Sequence, residues 1–150
     1  MLTKGDRAPE FTLKDQNGDE TTLSAMLVNG PVVVFFYPRA MTSGCTRESC
    51  HFRDLKADFD SVGAQPVGIS ADSVDRQSKF DATNSLGFTL LSDPDRKVAG
   101  LFGVRRPGPL FNKRATFVIG SDGTVLANFS SEMNMEAHAD RALEVLRGEV

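Results

Sequence analysis

The chain has 150 residues, 40% of them hydrophobic and 25% charged, enough to bury roughly two-thirds of the surface its unfolded form would expose. It therefore reads as a single domain over residues 1–150 that folds without a disulfide. A net charge of −3 leaves no electrostatic footprint for nucleic acid or an anionic membrane. No apolar run approaches the ~20 residues of a transmembrane helix, and the charged start Met1 to Arg7 lacks the apolar core of a signal peptide, so the cytosol is the expected address.

Short strands near Glu10 to Leu13 and Glu20 to Leu23 flank Asp15-Gln16-Asn17-Gly18-Asp19. Asn-Gly is a strong two-residue turn signal, which predicts an amino-terminal β-hairpin. Val32 to Tyr37 is apolar on both faces, as a central strand covered by helices on both sides should be. From Cys45 to about Phe59, the residues Phe52, Leu55 and Phe59 recur at helical spacing, with Thr42 or Ser43 available as the cap. Gln65 to Ser70 reads as a strand, Ser73 to Asn84 as a helix opened by Asp72 or Ser73, and Thr89 to Leu91 as a strand. Arg96 to Phe102 is a short helix. Ala115 to Ile119 and Val125 to Phe129 form strands around Ser121-Asp122-Gly123, and Met135 to Leu146 is an amphipathic final helix. A β-α-β-α-β run followed by a hairpin and a helix predicts an α/β fold with a central mixed sheet.

Both cysteines, Cys45 and Cys50, fall in one short stretch between the strand at Val32 and the helix after it. A disulfide closing so short a loop would restrict the unfolded chain only slightly. In a reducing compartment the pair points to catalysis or redox sensing instead. Cys45 falls near a helix N-terminus, where a thiolate is favoured. Thr42, three residues upstream, can face the cysteine or cap the helix, and Gly44 permits close backbone approach. Arg114 precedes the strand Ala115 to Ile119, and its guanidinium would stabilise a thiolate if the fold brought it to Cys45. Spacing alone leaves open that the cysteines are small buried residues and that Arg114 is a solvated strand-end arginine.

Pro38, Thr42 and Cys45 spell P-x-x-x-T-x-x-C. Phe35-Phe36-Tyr37-Pro38 precedes it, Cys45-Thr46-x-Glu48-x-Cys50 and Phe52-Arg53-Asp54 follow, and Arg114-x-Thr116-Phe117 comes later. On these residues the chain resembles the peroxiredoxins of the AhpC/TSA family, in particular the subgroup called PrxQ or bacterioferritin comigratory protein. Gly68-Ile69-Ser70 and Asp93 through Val104 extend the likeness over nearly the whole length.

The resemblance implies a thioredoxin-like fold and reduction of hydrogen peroxide or organic hydroperoxides without a prosthetic group. In its terms Cys45 attacks the O–O bond and becomes a sulfenic acid. Thr42 and Arg114 bind the peroxide and stabilise the thiolate, while Pro38 shields the sulfur. Cys50 resolves the sulfenic acid as an intramolecular disulfide that a thioredoxin-like protein reduces. Ser43 departs from the subgroup's frequent proline, Ala40 and Met41 from a polar or acidic pair, and His51 from a small residue.

If both cysteines are helical, residues five apart lie ~140° apart around the axis with Cα atoms separated by ~8.7 Å. That exceeds the ~7 Å a disulfide tolerates. The implied bond would then require the segment from about Thr42 to Phe52 to open.

For the remaining residues the expectations are modest. Glu48 complements the dipole of its helix, His138 lies on the surface, Tyr37 packs or lines the pocket, and Met133 and Met135 pack in the last loop and helix. Arg105-Arg106-Pro107-Gly108-Pro109 forms an exposed loop that could border the site or dock an acidic partner. His51 beside Cys50 invites a metal reading, yet Cys45, Cys50 and His51 give three ligands without a zinc spacing. Two rival functions remain on the same fold. A thiol-disulfide oxidoreductase would normally carry C-x-x-C where this chain has Cys45-Thr46-Arg47-Glu48-Ser49-Cys50, and a redox sensor would be oxidised stoichiometrically without turnover. A monomer or weak homodimer is expected.

Overall fold

The computed structural model describes residues 1–108 and 110–148; Pro109 of the basic loop lies outside the described residues. In chain order they form strands β1 (Thr12–Asp15) and β2 (Glu20–Thr22), helix α1 (Leu23–Leu27), β3 (Val32–Phe36), α2 (Ser43–Asp54), α3 (Lys56–Ser61), β4 (Gln65–Ser70), α4 (Val74–Asn84), β5 (Thr89–Ser92), α5 (Lys97–Phe102), β6 (Ala115–Ile119), β7 (Val125–Ser130) and α6 (Met135–Leu146). The strands join one mixed sheet in the order β2-β1-β5-β4-β3-β6-β7. Strands β3, β4 and β5 are parallel, as their helical crossovers require. Antiparallel pairing adds β6 to β3, β7 to β6, β1 to β5 and β2 to β1.

The predicted hairpin forms, displaced toward its turn. Asp15 Oδ1 accepts the N–H groups of Asn17 at 2.8 Å and Asp19 at 3.1 Å, and Gly18 takes φ 83°, a left-handed conformation that glycine adopts without steric cost. Glu10 lies ahead of the strand, its carboxylate accepting from the N–H groups of Phe11 and Ser24. Leu23 belongs to the short helix α1 rather than to the second strand, because the Thr22 hydroxyl accepts from Ala25 N–H and caps a helix there.

The helix expected from Cys45 to Phe59 is two helices, broken at Leu55 with φ −96° and ψ 9°. In one straight helix Phe52 and Phe59 would be separated by ~10.5 Å of rise. The break brings their rings to 5.7 Å, stacked, while Phe52 also stacks on Phe35 of β3 at 4.1 Å and 8°.

Successive residues of β3 point to opposite faces, and all five are fully buried. Val32, Val34 and Phe36 join a core with Met26, Ile69, Phe102 and Phe117. Val33 and Phe35 join Tyr37, Cys45, Phe52, Phe59, Phe80 and Ala139 in the other. Cys45 is thus part of a packed apolar layer beneath α2 and α6. Truncating the ring that anchors α2 to this layer, Phe52→Ala, should cost about 3–5 kcal/mol and lower the thermal midpoint by roughly 10 °C. Thermal unfolding followed by circular dichroism checks it.

Candidate active site

Strand β3 ends at Phe36, and the chain turns through Pro38 to Met41 before entering α2. Because β6 runs antiparallel to β3 with Ala115 opposite Phe36, Arg114 sits just ahead of β6 at the edge where that turn begins. Its backbone N–H donates to Glu132 Oε2 at 2.8 Å. The side chain turns inward to 7% exposure and donates from Nη2 to Cys45 Sγ at 3.3 Å and from Nη1 to Glu48 Oε1 at 2.7 Å. The guanidinium of Arg114 is therefore in direct contact with Cys45, 69 residues away in the chain.

Gly44 makes room for this. A Cβ there would lie 3.0 Å from Met135 Cε and 3.3 Å from Arg114 Nη2, tighter than ordinary van der Waals contact. Cys45 is the third residue of α2, and the first ladder bond runs from Thr46 N–H to Thr42 O at 2.9 Å. The N–H groups of Ser43, Gly44 and Cys45 thus have no partner within the helix ladder. They add positive potential on the side where Arg114 stands.

Thr42 occupies the N-cap position, but its side chain does not cap. Its hydroxyl instead donates to Arg39 O at 2.8 Å, which leaves the oxygen lone pairs free to accept a hydrogen bond. Pro38 is half-buried and borders a cleft of about 270 Å³ with Arg39, Asp72, Arg76 and Phe111. Cys50, on another face of α2, is partly buried with Sγ 3.8 Å from Asn84 Oδ1. Both cysteines are free thiols within one helix.

Two expectations fail here. Glu48 lies beyond the first turn of α2 and is fully buried, so it pairs with Arg114 rather than complementing the helix dipole. His138 is not on the surface but 1% exposed. His138 Nε2 lies 2.9 Å from the carbonyl of Ser131, which can only accept, so that nitrogen carries the proton. Burial lowers the His138 pKa and keeps the ring neutral, so Nδ1 accepts from the Thr116 hydroxyl at 2.7 Å. The same Nδ1 lies 3.6 Å from Glu48 Oε2. Sequence signals for both existed. Glu48 is three residues from Cys45, hence on the same helical face, and His138 shares a face with Met135, Ala139 and Ala142.

Elsewhere, Tyr37 is buried and donates to Gln77 Oε1, so it packs rather than lining the cleft. His51 faces Asp140 at 2.8 Å, and among the described residues no group of three or more His, Cys, Asp and Glu is placed to hold a metal. Met133 is 88% exposed, so only Met135 packs as expected. No described helix is long and apolar enough to cross a membrane.

The sequence pattern of the AhpC/TSA family matches residues 4–128. Over 149 residues the chain is 52% identical to a putative peroxiredoxin of Mycobacterium tuberculosis, covering 97% of each. The chain belongs to the peroxiredoxins of the AhpC/TSA family. Among solved structures it is similar to the peroxidoxin BcpB of Mycobacterium tuberculosis, with a TM-score of 0.96 and 49% identity over 99% of this chain and 98% of that one. It is likewise similar to the bacterioferritin comigratory protein of Xanthomonas campestris, described for alkyl peroxide reduction, with a TM-score of 0.86 and 31% identity over 93% and 91% of the two chains. The thioredoxin-like fold, the PrxQ subgroup and the class of activity, a thiol-dependent peroxidase, agree with the sequence reading.

In this peroxiredoxin the buried guanidinium faces two acidic groups at once. Burial pushes the Glu48 carboxyl up to about 8, against the opposing pull of Arg114. Burial alone would lower Arg114, but Glu48 and Cys45 beside it hold it above the ordinary arginine value. Between about pH 4.5, where an exposed glutamate ionises, and pH 8, the folded state keeps a proton that the unfolded state has released. Stability contributed by this group therefore falls as pH rises through that window. Glu48→Gln keeps an acceptor for Arg114 and removes the titration. Its urea midpoint should decline less than that of the parent between pH 5 and pH 8, as equilibrium unfolding at several pH values will show.

Proposed function

We propose that Cys45 is the peroxidatic cysteine and Cys50 the resolving cysteine of a peroxidase that acts on hydrogen peroxide and organic hydroperoxides and is recycled by a thioredoxin-like dithiol protein. The observation that carries this reading is the Arg114 Nη2 to Cys45 Sγ contact of 3.3 Å at the start of α2. A thiolate there is stabilised by a fixed charge and by free helix N–H groups.

Attack of Sγ on one peroxide oxygen forms the S–O bond and breaks O–O. The second oxygen leaves with the electron pair and takes up a proton, departing as water or an alcohol. Thr42 Oγ1 accepts from the peroxide O–H while Arg114 and the α2 N–H groups stabilise the developing negative charge. Pro38 shields the sulfur from bulk water. The Cys50 thiol then attacks the sulfenic sulfur and water leaves, giving a disulfide that a dithiol reduces by exchange. No prosthetic group enters. The single domain, residues 1–150, works in the cytosol as a monomer or weak homodimer.

With both cysteines inside α2, that disulfide needs the helix start to open, since their Cα atoms stand ~8.7 Å apart in regular helix. Opening should stop short of Phe52. Exposing this fully buried ring would cost roughly 2–3 kcal/mol.

Peroxide consumption with and without a thioredoxin system tests the whole cycle. Turnover should require both, whereas one equivalent consumed without turnover would make the protein a redox sensor. Cys45→Ser should abolish consumption. Cys50→Ser should give one burst and then accumulate sulfenic and sulfinic forms, visible by intact mass. Amide exchange should rise in the oxidised protein between Thr42 and Cys50 and stay low in β3; unchanged exchange with a mapped Cys45 to Cys50 disulfide would remove the opening step.

A further inference from the structure

Ala40, midway between β3 and α2, is held from both sides. Its N–H donates to Asp72 Oδ2 at 2.7 Å, and its C=O accepts from Arg76 Nη2 at 3.0 Å. Asp72 and Arg76 are themselves joined, Nε to Oδ1, at 2.8 Å. Three contacts thus close a ring around one residue of the loop. A planar fork is needed for it, because one guanidinium serves a carboxylate and a carbonyl at the same time.

The ring is anchored in the sheet. The Ser70 hydroxyl donates to Asp72 Oδ2 at 2.6 Å, and the Ser92 hydroxyl donates to the Asp72 carbonyl at 2.6 Å. Buried Gln77 ties Ser70 Oγ at 3.0 Å to Leu91 O at 2.8 Å. The Asp72 side chain is 5% exposed, unlike the pairs of the outer surface.

The loop has something to be held for. Met41, the next residue, takes φ +71°, a left-handed conformation that side chains with a Cβ rarely adopt. It turns the chain so that Thr42 enters α2. Arg39, Met41, Thr42 and Ser43 are all exposed, so what fixes the turn is concentrated at Ala40, whose methyl packs in the core beside Cys45 and whose backbone is held by Asp72 and Arg76; the Thr42 hydroxyl adds a bond to Arg39 O.

We propose that Asp72 and Arg76 are positioning residues for peroxide reduction. Their grip on Ala40 holds the turn at Met41, fixes where Thr42 enters α2 ahead of Cys45, and resists the opening of α2 that bonding of Cys45 to Cys50 requires. The proposal rests on the roles assigned to those two cysteines above. The grip therefore acts on the two steps in opposite senses: it favours S–O bond formation and hinders S–S bond formation.

Rapid quenching with an alkylating agent and intact-mass analysis measures both steps in Arg76→Ala. Formation of the sulfenic acid should slow about tenfold, within the roughly hundredfold that a ~1 Å misplacement can cost. Disulfide formation should speed up at least about threefold as the open population grows. Overoxidation at high peroxide should fall accordingly. Arg76→Lys keeps the charge but cannot hold Asp72 and Ala40 together, so both rates should lie between those of Arg76→Ala and the parent. Asp72→Asn should shift both rates in the same senses as Arg76→Ala and carries the test if Arg76→Ala folds poorly.

Both steps unchanged, or both slowed together, would overturn the proposal, because damage to folding alone does not accelerate one step while slowing the other. Full turnover in Cys45→Ser would instead strike the assignment of the cysteines. Single-cysteine variants behaving as expected beside indifferent Arg76 variants would remove only the grip.

Discussion

One buried positive charge organises this molecule. Arg114 stands at the entrance of β6 with its guanidinium enclosed, and it bonds a carboxyl group on one side and a sulfur on the other. A charge taken so far from water needs partners that also accept its hydrogen bonds, and α2 supplies both, three residues apart. The sheet brings them together: antiparallel pairing of β3 with β6 places Arg114 at the edge from which the loop to α2 departs. Glu132 holds the backbone and Gly44 admits the guanidinium, so its position is fixed from the main chain outward.

Helix α2 meets two demands that conflict. As a helix it directs free N–H groups at Cys45, and it keeps Cys45 and Cys50 too far apart to bond. Its two halves are anchored unequally. Phe52, stacked between Phe35 and Phe59, secures the C-terminal half, while the first turn carries exposed Ser43 and a cap residue whose hydroxyl does not cap. The beginning of the helix is thus its less anchored end, bounded by one aromatic anchor downstream and by the polar contacts to Ala40 upstream.

Much of this was legible in the sequence, for identifiable reasons. Val32 to Phe36 is apolar on both faces because helices cover both, and Asn17-Gly18 marks its turn because glycine alone takes φ 83° there easily. Other features depend on contacts that no local pattern encodes. The break at Leu55 exists so that two phenylalanines can stack, and α1 follows from one threonine cap. Motif spacing named Thr42, Cys45 and Arg114, yet the contact between the last two is made by strand pairing. The burial of His138 and the pairing of Glu48 with Arg114 follow from helical face rather than polarity: the three-residue spacing of Glu48 from Cys45 and the four-residue spacing of His138 from Ala142 put both toward the core.

The site concentrates features that a stable fold would otherwise avoid. Glu48 Oε2, Ser49 Oγ and Arg114 Nε are buried without a hydrogen-bond partner in the protein, the Glu48 carboxyl is pushed far from its ordinary range by burial, and Met41 is left-handed. Each lowers stability, and each lies within a few residues or one contact of Cys45 or Thr42. Exposed arginines and acids around the rest of the surface pair loosely and contribute little, and the two apolar layers on either side of the sheet supply the stability that this polar pocket consumes. Replacing Arg114 and Glu48 by apolar residues would satisfy packing better but would leave the sulfur without a fixed charge. Part of the molecule's local conflict with the rules of folding therefore falls where the chemistry needs it, while left-handed Ser85 and Arg96 and the unpartnered side chain of buried Asn112 lie elsewhere.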